Sequence, residues 1–145
     1  MRFNNNLLLA SFFGVASAFR RSCRPDTTSD VTGLGFYTVL NTDTLASIAA
    51  DFCTFASELQ NINLTPPIAT ENFLKVPCRA RKRDCSRIPG SENGYYTVVD
   101  GDNLTIIAAD FCTNVKGLRL LNTDVMENTG KPTPGTVLEV PCSWN

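Results

Sequence analysis

The sequence predicts an α+β protein made of two tandem small βααβ units. Each unit is expected to have a two-stranded antiparallel sheet with two helices on one face, stabilised by disulfide bonds. Three observations lead to this prediction: one segment occurs twice, each copy has the order strand, helix, helix, strand, and six cysteines occur in 145 residues. A unit of about 45 to 50 residues buries too little apolar surface to be stable comfortably on its own, and disulfides are the usual remedy.

The internal repeat is found by shifting the sequence against itself by 59 residues. Residues 35–63 then align with residues 94–122, with 15 identities in 29 positions. The end of each unit aligns at a shift of 64, where residues 74–78 match residues 138–142 with one difference. Two copies are too few for a solenoid, so tandem modules are the natural interpretation.

The N-terminus, residues 1–18, has the features of a secretory signal peptide. Arg2 is positively charged, residues 7–15 are apolar, and residues 16–18 form a small-residue cleavage site. We therefore expect a secreted, extracellular protein whose cysteines form disulfides rather than metal sites. The remaining predicted segments are an N-terminal segment at 19–34, a first unit at 35–78, a basic linker at 79–93 and a second unit at 94–142.

Strands are predicted at both ends of each unit. Aromatic and β-branched residues indicate opening strands at 36–40 and 95–99. Closing strands are expected at 73–76 and 137–140, each followed by a proline that ends the strand. Such strands most simply pair as one antiparallel sheet per unit, with both helices on one face.

The helices are predicted from apolar spacing. Leu45, Ile48, Ala49 and Phe52 recur at i, i+3, i+4 and i+7, which places them on one helix face, and the second copy repeats the pattern. A second helix with its own apolar face follows in each copy. Turn-forming and hydroxyl residues at the helix starts are expected to cap the first backbone N–H groups. The expected capping residues are Asp43, Asp102, Thr54 and Thr113.

Six cysteines allow 15 pairings, and the sequence alone does not choose among them. In an antiparallel pair, the start of the first strand lies beside the end of the last strand. That geometry favours the pairs Cys23–Cys78 and Cys85–Cys142, with Cys53–Cys112 left as a link between the units. The tails before each strand are long enough to reach elsewhere, so other pairings stay open. Each unit has three cysteines, so full oxidation within one chain requires at least one bond between the units.

Composition excludes several function classes. The chain has no histidine, which removes every mechanism that uses imidazole as a base or metal ligand. The net charge of −1 argues against nucleic acid or an anionic membrane as partner. A glycan hydrolase would need two carboxylates about 5–10 Å apart. The candidate pairs Asp43/Asp51 and Asp102/Asp110 lie in sequence that could not build a deep cleft. A cysteine-rich toxin or protease inhibitor stays an alternative.

Basic residues are concentrated in two places. Arg20-Arg21 and Lys82-Arg83 are dibasic pairs, and either could be a processing site. An ordinary charged tail is the equal alternative for the first pair. The predicted linker at 79–93 contains five basic residues. We interpret it as a solvated linker in preference to a strip that binds an anionic polymer.

The repeated motif resembles the LysM module. Both copies have Tyr-Thr-Val, then Asp-x-Leu-x-x-Ile-Ala-x-x-Phe, then Leu-x-x-x-Asn and finally Leu-x-Val-Pro. The Cys after Phe and the closing Val-Pro-Cys resemble the fungal secreted form, and the resemblance covers residues 35–142. It implies a non-catalytic protein without cofactors that binds chitin and other N-acetylglucosamine oligomers. It also implies that the protein shields fungal wall chitin or sequesters chitin fragments from host receptors.

The resemblance further implies a shallow sugar groove in each unit. One wall is the turn after the first strand, and the other is the loop from the second helix to the closing strand. Carried over by position, the expected carbohydrate-binding residues are Asp43, Thr44, Leu45, Asn63, Leu64, Thr65, Pro66 and Ile68 in the first unit and Gly101, Asp102, Asn103, Leu104, Asn122, Thr123, Asp124 and Val125 in the second. The alternative is that the aspartates cap helices, the asparagines brace loops and the leucines belong to the core.

Two departures affect these grooves. The family's usual glycine before the aspartate is Gly101 in the second unit but Thr42 in the first, and threonine does not easily adopt a positive φ. Asn63 and Asn103 each begin an Asn-x-Thr sequence, the N-glycosylation signal.

Two modules would raise avidity for a polymer. One oligomer could also bridge two molecules, which would give a ligand-bridged homodimer.

Overall fold

The computed structural model describes residues 20–64, 72–79, 81–126 and 131–143, so the predicted signal peptide lies outside the described residues. The elements of the first module are β1 (Arg24–Pro25), β2 (Leu34–Thr38), α1 (Leu45–Asp51), α2 (Ala56–Ile62) and β3 (Phe73–Pro77). The elements of the second module are β4 (Ser86–Arg87), β5 (Asn93–Thr97), α3 (Leu104–Asp110), α4 (Val115–Leu121), α5 (Thr123–Met126) and β6 (Val137–Pro141). The predicted α+β order is confirmed in both halves of the chain.

Each module has one antiparallel sheet, with the strand order β1-β2-β3 in the first module and β4-β5-β6 in the second. This is one strand more than the sequence predicts. In β1, Arg24 pairs with Phe36, and in β4, Ser86 pairs with Tyr95. A two-residue strand is too short to show a period-2 pattern, which is why sequence reasoning assigned these residues to a tail and a linker.

The helix caps differ from the prediction in both modules. Thr44, not Asp43, caps α1: its hydroxyl accepts from Ser47 N at 3.1 Å, and the Ser47 hydroxyl accepts from Thr44 N. Asn103, not Asp102, caps α3 by accepting from Ile106 N at 2.9 Å. The predicted caps were one residue early because the carboxylates of Asp43 and Asp102 accept hydrogen bonds from backbone N–H groups of the turn that precedes each helix.

The second helices also begin one residue later than expected. Phe55, not Thr54, is the N-cap of α2, and its N–H donates to the Glu58 carboxylate. Asn114, not Thr113, caps α4 by accepting from Gly117 N at 2.8 Å. Asn114 thereby satisfies a backbone N–H group that has no partner within its helix, whereas the side chain of Phe55 accepts no such bond.

Two hydrophobic cores form, one between the helices and the sheet of each module. The predicted α1 face is confirmed, since Ile48, Ala49 and Phe52 are at most 4% exposed and Leu45 packs against the same core partly buried. Leu104 is 5% exposed and lies in the second core. Because each module encloses its own core, the junction between the modules depends on other contacts.

The disulfide pairs are Cys23–Cys78, Cys85–Cys142 and Cys53–Cys112. Cys23–Cys78 and Cys85–Cys142 are the two pairs that the strand geometry favours, and Cys53–Cys112 is the remaining pair that the sequence analysis left as a link between the units. The first two bonds each close one module, and the third joins the modules. At Gly35, an added Cβ would lie 2.6 Å from the Cys78 sulfur, and at Gly94 the corresponding distance to the Cys142 sulfur is 2.8 Å. Glycine is therefore required where the second strand crosses each disulfide.

Cys53 and Cys112, the ends of the inter-module bond, have φ of 53° and 56°. This left-handed conformation is uncommon for residues with a side chain. It follows directly after α1 and α3, so the chain turns sharply at the cysteine in both modules.

In the part of the chain described here, no helix has both the length and the apolar character needed to cross a membrane.

Replacing both ends of the inter-module bond, Cys53→Ser with Cys112→Ser, is expected to separate the unfolding of the two modules. Calorimetry should show two transitions in place of one, because each module keeps its own core and its own disulfide. The matched control is Cys85→Ser with Cys142→Ser, whose sulfurs are buried. It should destabilise the second module by roughly 2–4 kcal/mol. One unchanged transition in the first variant would show that the bond does not couple the modules.

Candidate functional site

In each module, the turn after the opening strand lies beside the segment that enters the closing strand. In the first module, Val39 N donates to Asn72 O at 3.0 Å, so the turn after β2 adjoins the segment that enters β3. In the second module, Val98 N donates to Thr136 O at 2.8 Å. The antiparallel pairing of the two strands in each module produces this arrangement.

The turn before the first helix is closed in the same way in both modules. The N–H of the turn aspartate donates to the carbonyl oxygen three residues earlier, at 3.1 Å in the first module and 3.2 Å in the second. Gly101 has a φ of +85°, whereas Thr42, at the matching position, is not among the residues with positive φ. The two turns therefore share their closing hydrogen bond but differ in backbone path, as the Thr42 substitution predicts.

The turn aspartates are structural acceptors. Asp43 accepts from the Tyr37 hydroxyl at 2.5 Å, from Leu40 N at 2.8 Å and from Arg21 Nη2 at 2.7 Å, and its side chain is 1% exposed. The equivalent contacts to Asp102 come from Tyr96, Val99 and Arg83. These carboxylates are enclosed, so a ligand at the turn would meet the backbone and the neighbouring residues instead.

These contacts shift the pKa values of the groups that share them. Burial acts to raise the pKa of Asp43, but hydrogen bonds from Tyr37, the backbone and Arg21 outweigh it and hold the pKa below its ordinary value. The pKa of Asp102 is lowered in the same way. In the opposite direction, burial and the hydrogen bond to Asp43 raise the pKa of Tyr37 to about 12, and Tyr96 in the second module also reaches a pKa of about 12.

One arginine in each module joins the turn aspartate to an aspartate at the end of the first helix. Arg21 Nη1 lies 3.6 Å from Asp51, and Arg83 Nη1 lies 2.7 Å from Asp110. Asp51 is 1% exposed and Asp110 is 8% exposed. Sequence reasoning missed this role, although a signal was present: both arginines follow a basic residue and precede a cysteine by two positions.

Further arginines cross the junction between the modules. Arg20 lies 3.5 Å from Asp51 of the first module and donates to the Asp110 carbonyl oxygen of the second at 2.5 Å. Arg79 donates to Ala109 O at 2.9 Å and also contacts the Cys53 sulfur. The side chain of Arg20 is 10% exposed, so the N-terminal segment here is not a solvated tail.

The predicted solvated linker at 79–93 is also partly buried. The side chains of Arg81 and Arg83 are 6% and 14% exposed, and Arg81 lies 3.4 Å from Asp51. Burial, together with the neighbouring Arg20, lowers the pKa of Arg81 to about 10. Burial raises the pKa of Asp51 in spite of the arginines around it. These basic residues were interpreted as surface charge because their acidic partners are far away in sequence.

The asparagines of the second wall brace the loop. Asn63 Nδ2 donates to Leu59 O and to Lys75 O, both at 2.8 Å, and its Oδ1 accepts from Lys75 N at 2.7 Å. Asn122 makes the same three contacts with Leu118 and Glu139. Each asparagine ties the end of the second helix to the closing strand, which fixes where the loop begins.

The rest of the second wall differs between the modules. In the first, Leu64 is 91% exposed, while Thr65, Pro66 and Ile68 lie outside the described residues. In the second, the predicted Thr123, Asp124 and Val125 form the short helix α5. Val125 is 48% exposed and, with Met126, lines a cavity of about 200 Å³.

A larger depression lies between the modules, with a volume of about 610 Å³. Thr44 lines it from the turn of the first module, beside Thr42 and Ser47. Glu92 and Ser143 line it from the second module. Its walls therefore include one predicted binding residue together with residues of the other module. Among the described residues, no group of three or more acidic or cysteine side chains is placed to hold a metal ion.

The chain folds as two halves, each with a three-stranded antiparallel sheet and packed helices, and one disulfide bond joins the halves. The LysM domain family matches residues 96–141, within the second module. The first module lies outside that match. It shares the repeat with the second module and, apart from α5, the order of strands and helices.

Relatives identify the family. The secreted LysM effector Vd2LysM of Verticillium dahliae is 38% identical over 146 residues, which cover 96% of each chain. The secreted LysM effector ECP6 of Passalora fulva is 32% identical over 123 residues, 72% of this chain and 52% of ECP6. The solved structure of the Bacillus cereus spore cortex-lytic enzyme SleL aligns at 22% identity over 75% of this chain and 23% of that chain, with a TM-score of 0.29, too low to support an argument. The protein belongs to the secreted LysM effectors, a group of carbohydrate-binding proteins.

Removing one tyrosine hydroxyl should change the pH dependence of stability. Below pH 10, Tyr37→Phe is expected to be less stable than the parent by about 1 kcal/mol, because a buried hydrogen bond to Asp43 is lost. The raised pKa of Tyr37 means that its contribution is fully present below the unfolded pKa near 10 and is lost as pH rises towards about 12. The stability difference should therefore shrink over that interval in urea unfolding experiments.

Tyr96→Phe is the equivalent variant of the second module and tests the same prediction independently. The pKa of Tyr96 is also raised to about 12, so its stability difference from the parent should shrink over the same pH interval. A difference from the parent that stays constant between about pH 8 and pH 12 in both variants would contradict the raised pKa values.

Proposed function

We propose that this protein binds chitin and its oligosaccharides through the paired loops of its modules and catalyses no reaction. Membership of the LysM effectors supports the carbohydrate class of ligand. One structural observation supports the proposal: in each module a backbone hydrogen bond holds the turn after the opening strand beside the segment that enters the closing strand. A shallow loop surface suits an extended polymer better than a small molecule, which is bound in a concave pocket.

The chemistry of the loops fits N-acetylglucosamine. Backbone N–H and C=O groups at the turns can pair with sugar hydroxyls and with the acetamide. Exposed apolar side chains, such as Leu64 in the first module and Val125 in the second, can contact the acetamide methyl group and the sugar faces. We assign Thr44 and Asn103 to the first wall, and Thr65, Pro66 and Ile68 to the second.

The aspartates support a binding role over hydrolysis. Asp43 and Asp51 both contact the guanidinium of Arg21, and Asp102 and Asp110 both contact Arg83. A glycosidase acid needs a raised pKa beside the scissile bond. The turn carboxylates have lowered pKa values and are covered by their arginines. Burial raises the pKa of Asp51, but its side chain is only 1% exposed and therefore has no access to a glycosidic bond.

The biological role that we propose follows from two modules acting on one polymer. Two linked sites convert the second binding event into an intramolecular one, so avidity exceeds the affinity of either module. Such a protein would coat fungal wall chitin against hydrolases or sequester chitin fragments from host receptors. A ligand long enough to span two chains would also produce a bridged homodimer.

Ligand class can be tested with insoluble polysaccharides. The oxidised protein should be retained on chitin but not on cellulose or xylan, because only chitin presents an acetamide on every sugar. Calorimetry with chitin oligomers should show affinity rising with oligomer length as more of the loop surface is covered. Absence of retention on chitin by protein with all three disulfides formed would overturn the proposal, and release of reducing sugar would show catalysis.

The position of the site can be tested at Leu64. Leu64→Ser should weaken chitin-oligomer binding by at least about fivefold, since losing roughly 1 kcal/mol of apolar contact has that effect. Thermal stability should stay unchanged because Leu64 is 91% exposed. The matched control is Val31→Ser, 58% exposed in the loop that enters β2, at the opposite end of the sheet. Equal binding by both variants would show that the site lies elsewhere.

A further inference from the structure

The two glycosylation signals are in different structural settings. Asn63-Leu64-Thr65 and Asn103-Leu104-Thr105 both satisfy the Asn-x-Thr rule, and in sequence they differ in that a proline, Pro66, directly follows the first signal. Attachment of a glycan forms a bond between the asparagine Nδ2 and the anomeric carbon of N-acetylglucosamine. The sugar leaves its lipid diphosphate carrier, and the Nδ2 loses one hydrogen. A modified asparagine therefore keeps its Oδ1 acceptor and only one N–H donor.

Asn63 needs both hydrogens of its amide. Nδ2 donates to Leu59 O and to Lys75 O at 2.8 Å each, which ties α2 to β3. A glycan on Asn63 would remove one of these hydrogen bonds from a half-buried position and would also need space there. Leu59 O also accepts from Asn63 N at 3.1 Å, so it would keep one donor, whereas Lys75 O is bound by Nδ2. Because Nδ2 lies between these two carbonyl oxygens, a sugar attached to it would have to displace one of them, so the folded first module opposes modification.

Asn103 needs only its oxygen. Its side chain is exposed, and Oδ1 accepts from Ile106 N at 2.9 Å to cap α3. Within the part of the chain that the structure describes, its Nδ2 donates to no other residue. Because N-glycosylation leaves the carbonyl oxygen in place, the helix cap is compatible with an attached glycan.

We propose that Asn103 carries an N-linked glycan in the secreted protein and that Asn63 does not. The attachment point lies on the turn that forms the first wall of the second module. The matching position in the first module is Thr44, which offers no amide. A glycan at Asn103 therefore covers one loop surface and leaves the other open.

The consequence for ligand binding rests on the proposed function. An N-glycan begins with N-acetylglucosamine linked to N-acetylglucosamine, the same disaccharide unit as chitin. Attached at Asn103, it places this disaccharide beside the surface that we assign to chitin in the second module. The glycan competes with free chitin there, so the glycosylated protein binds soluble chitin oligomers through the first module.

Glycan occupancy is tested by intact mass of the protein secreted from a fungal host, before and after treatment with peptide-N-glycosidase. The parent and Thr65→Ala should each lose one glycan mass on treatment, whereas Thr105→Ala should show none before treatment. Thr105→Ala keeps the Asn103 cap, so folding is preserved, and Thr105→Ser should restore the glycan. A parent without a glycan, or a glycan that disappears in Thr65→Ala instead, would overturn the assignment.

The effect on binding is tested by calorimetry with a short chitin oligomer. The glycosylated parent should bind one oligomer per chain, and Thr105→Ala from the same host should bind two. If the same number of oligomers bound per chain with the glycan present and absent, the proposal that the glycan competes with chitin would be overturned. If neither protein binds chitin while the mass shift is present, the proposed function fails and the glycosylation assignment stands.

Discussion

Each module depends on the ion pairs of one largely covered arginine, which is Arg21 in the first module and Arg83 in the second. This arginine joins the turn aspartate to the aspartate that ends the first helix, and both carboxylates are almost fully covered. Removing one partner of a buried ion pair leaves an uncompensated charge, which costs roughly 3–5 kcal/mol. Because the arginine precedes a cysteine by two positions, the same short segment also supplies the disulfide and the third strand. The arginine and the nearby cysteine therefore hold the turn, the end of the first helix and the edge strand of the sheet in fixed positions relative to one another.

The same chemistry extends from the modules to their junction. Arg20 contacts an aspartate of one module and a backbone carbonyl of the other, beside the disulfide that joins them. The residues between the modules are consequently part of the folded protein. This gives the two loop surfaces a defined relation to each other, which a flexible linker would not provide. A depression between the modules, lined by Thr44 and Ser143, follows from that relation.

Most of the fold could be predicted because it depends on local pattern. The α1 face from Leu45 to Phe52 has a helical period, and the repeat confirms it in α3. The favoured disulfide pairs followed from antiparallel strand geometry. The two-residue strands could not be predicted, because they have no period. The buried roles of Arg20 and Arg81 were missed because their partners are about 30 residues away in sequence.

The position of the turn aspartates could be predicted from the sequence, but the contacts of their side chains could not. Asp43 was expected at the turn, and it is there. Its carboxylate is nevertheless enclosed by Tyr37 and Arg21, which no local pattern indicates. The helix cap moved to the next residue for the same reason. The bracing role of Asn63 matches the alternative reading of that residue, and it is this bracing that separates the two glycosylation signals.

The inter-module disulfide joins equivalent positions, because Cys53 and Cys112 are 59 residues apart, the same as the period of the repeat. In a symmetric dimer of two identical chains, a disulfide that lies on the two-fold axis joins the same cysteine of both chains. A gene encoding one such module would already supply both halves of this link as a homodimer. Duplication within one gene turns that dimer into a single chain. The two copies can then diverge, as Thr42 and Gly101, or Thr44 and Asn103, have done.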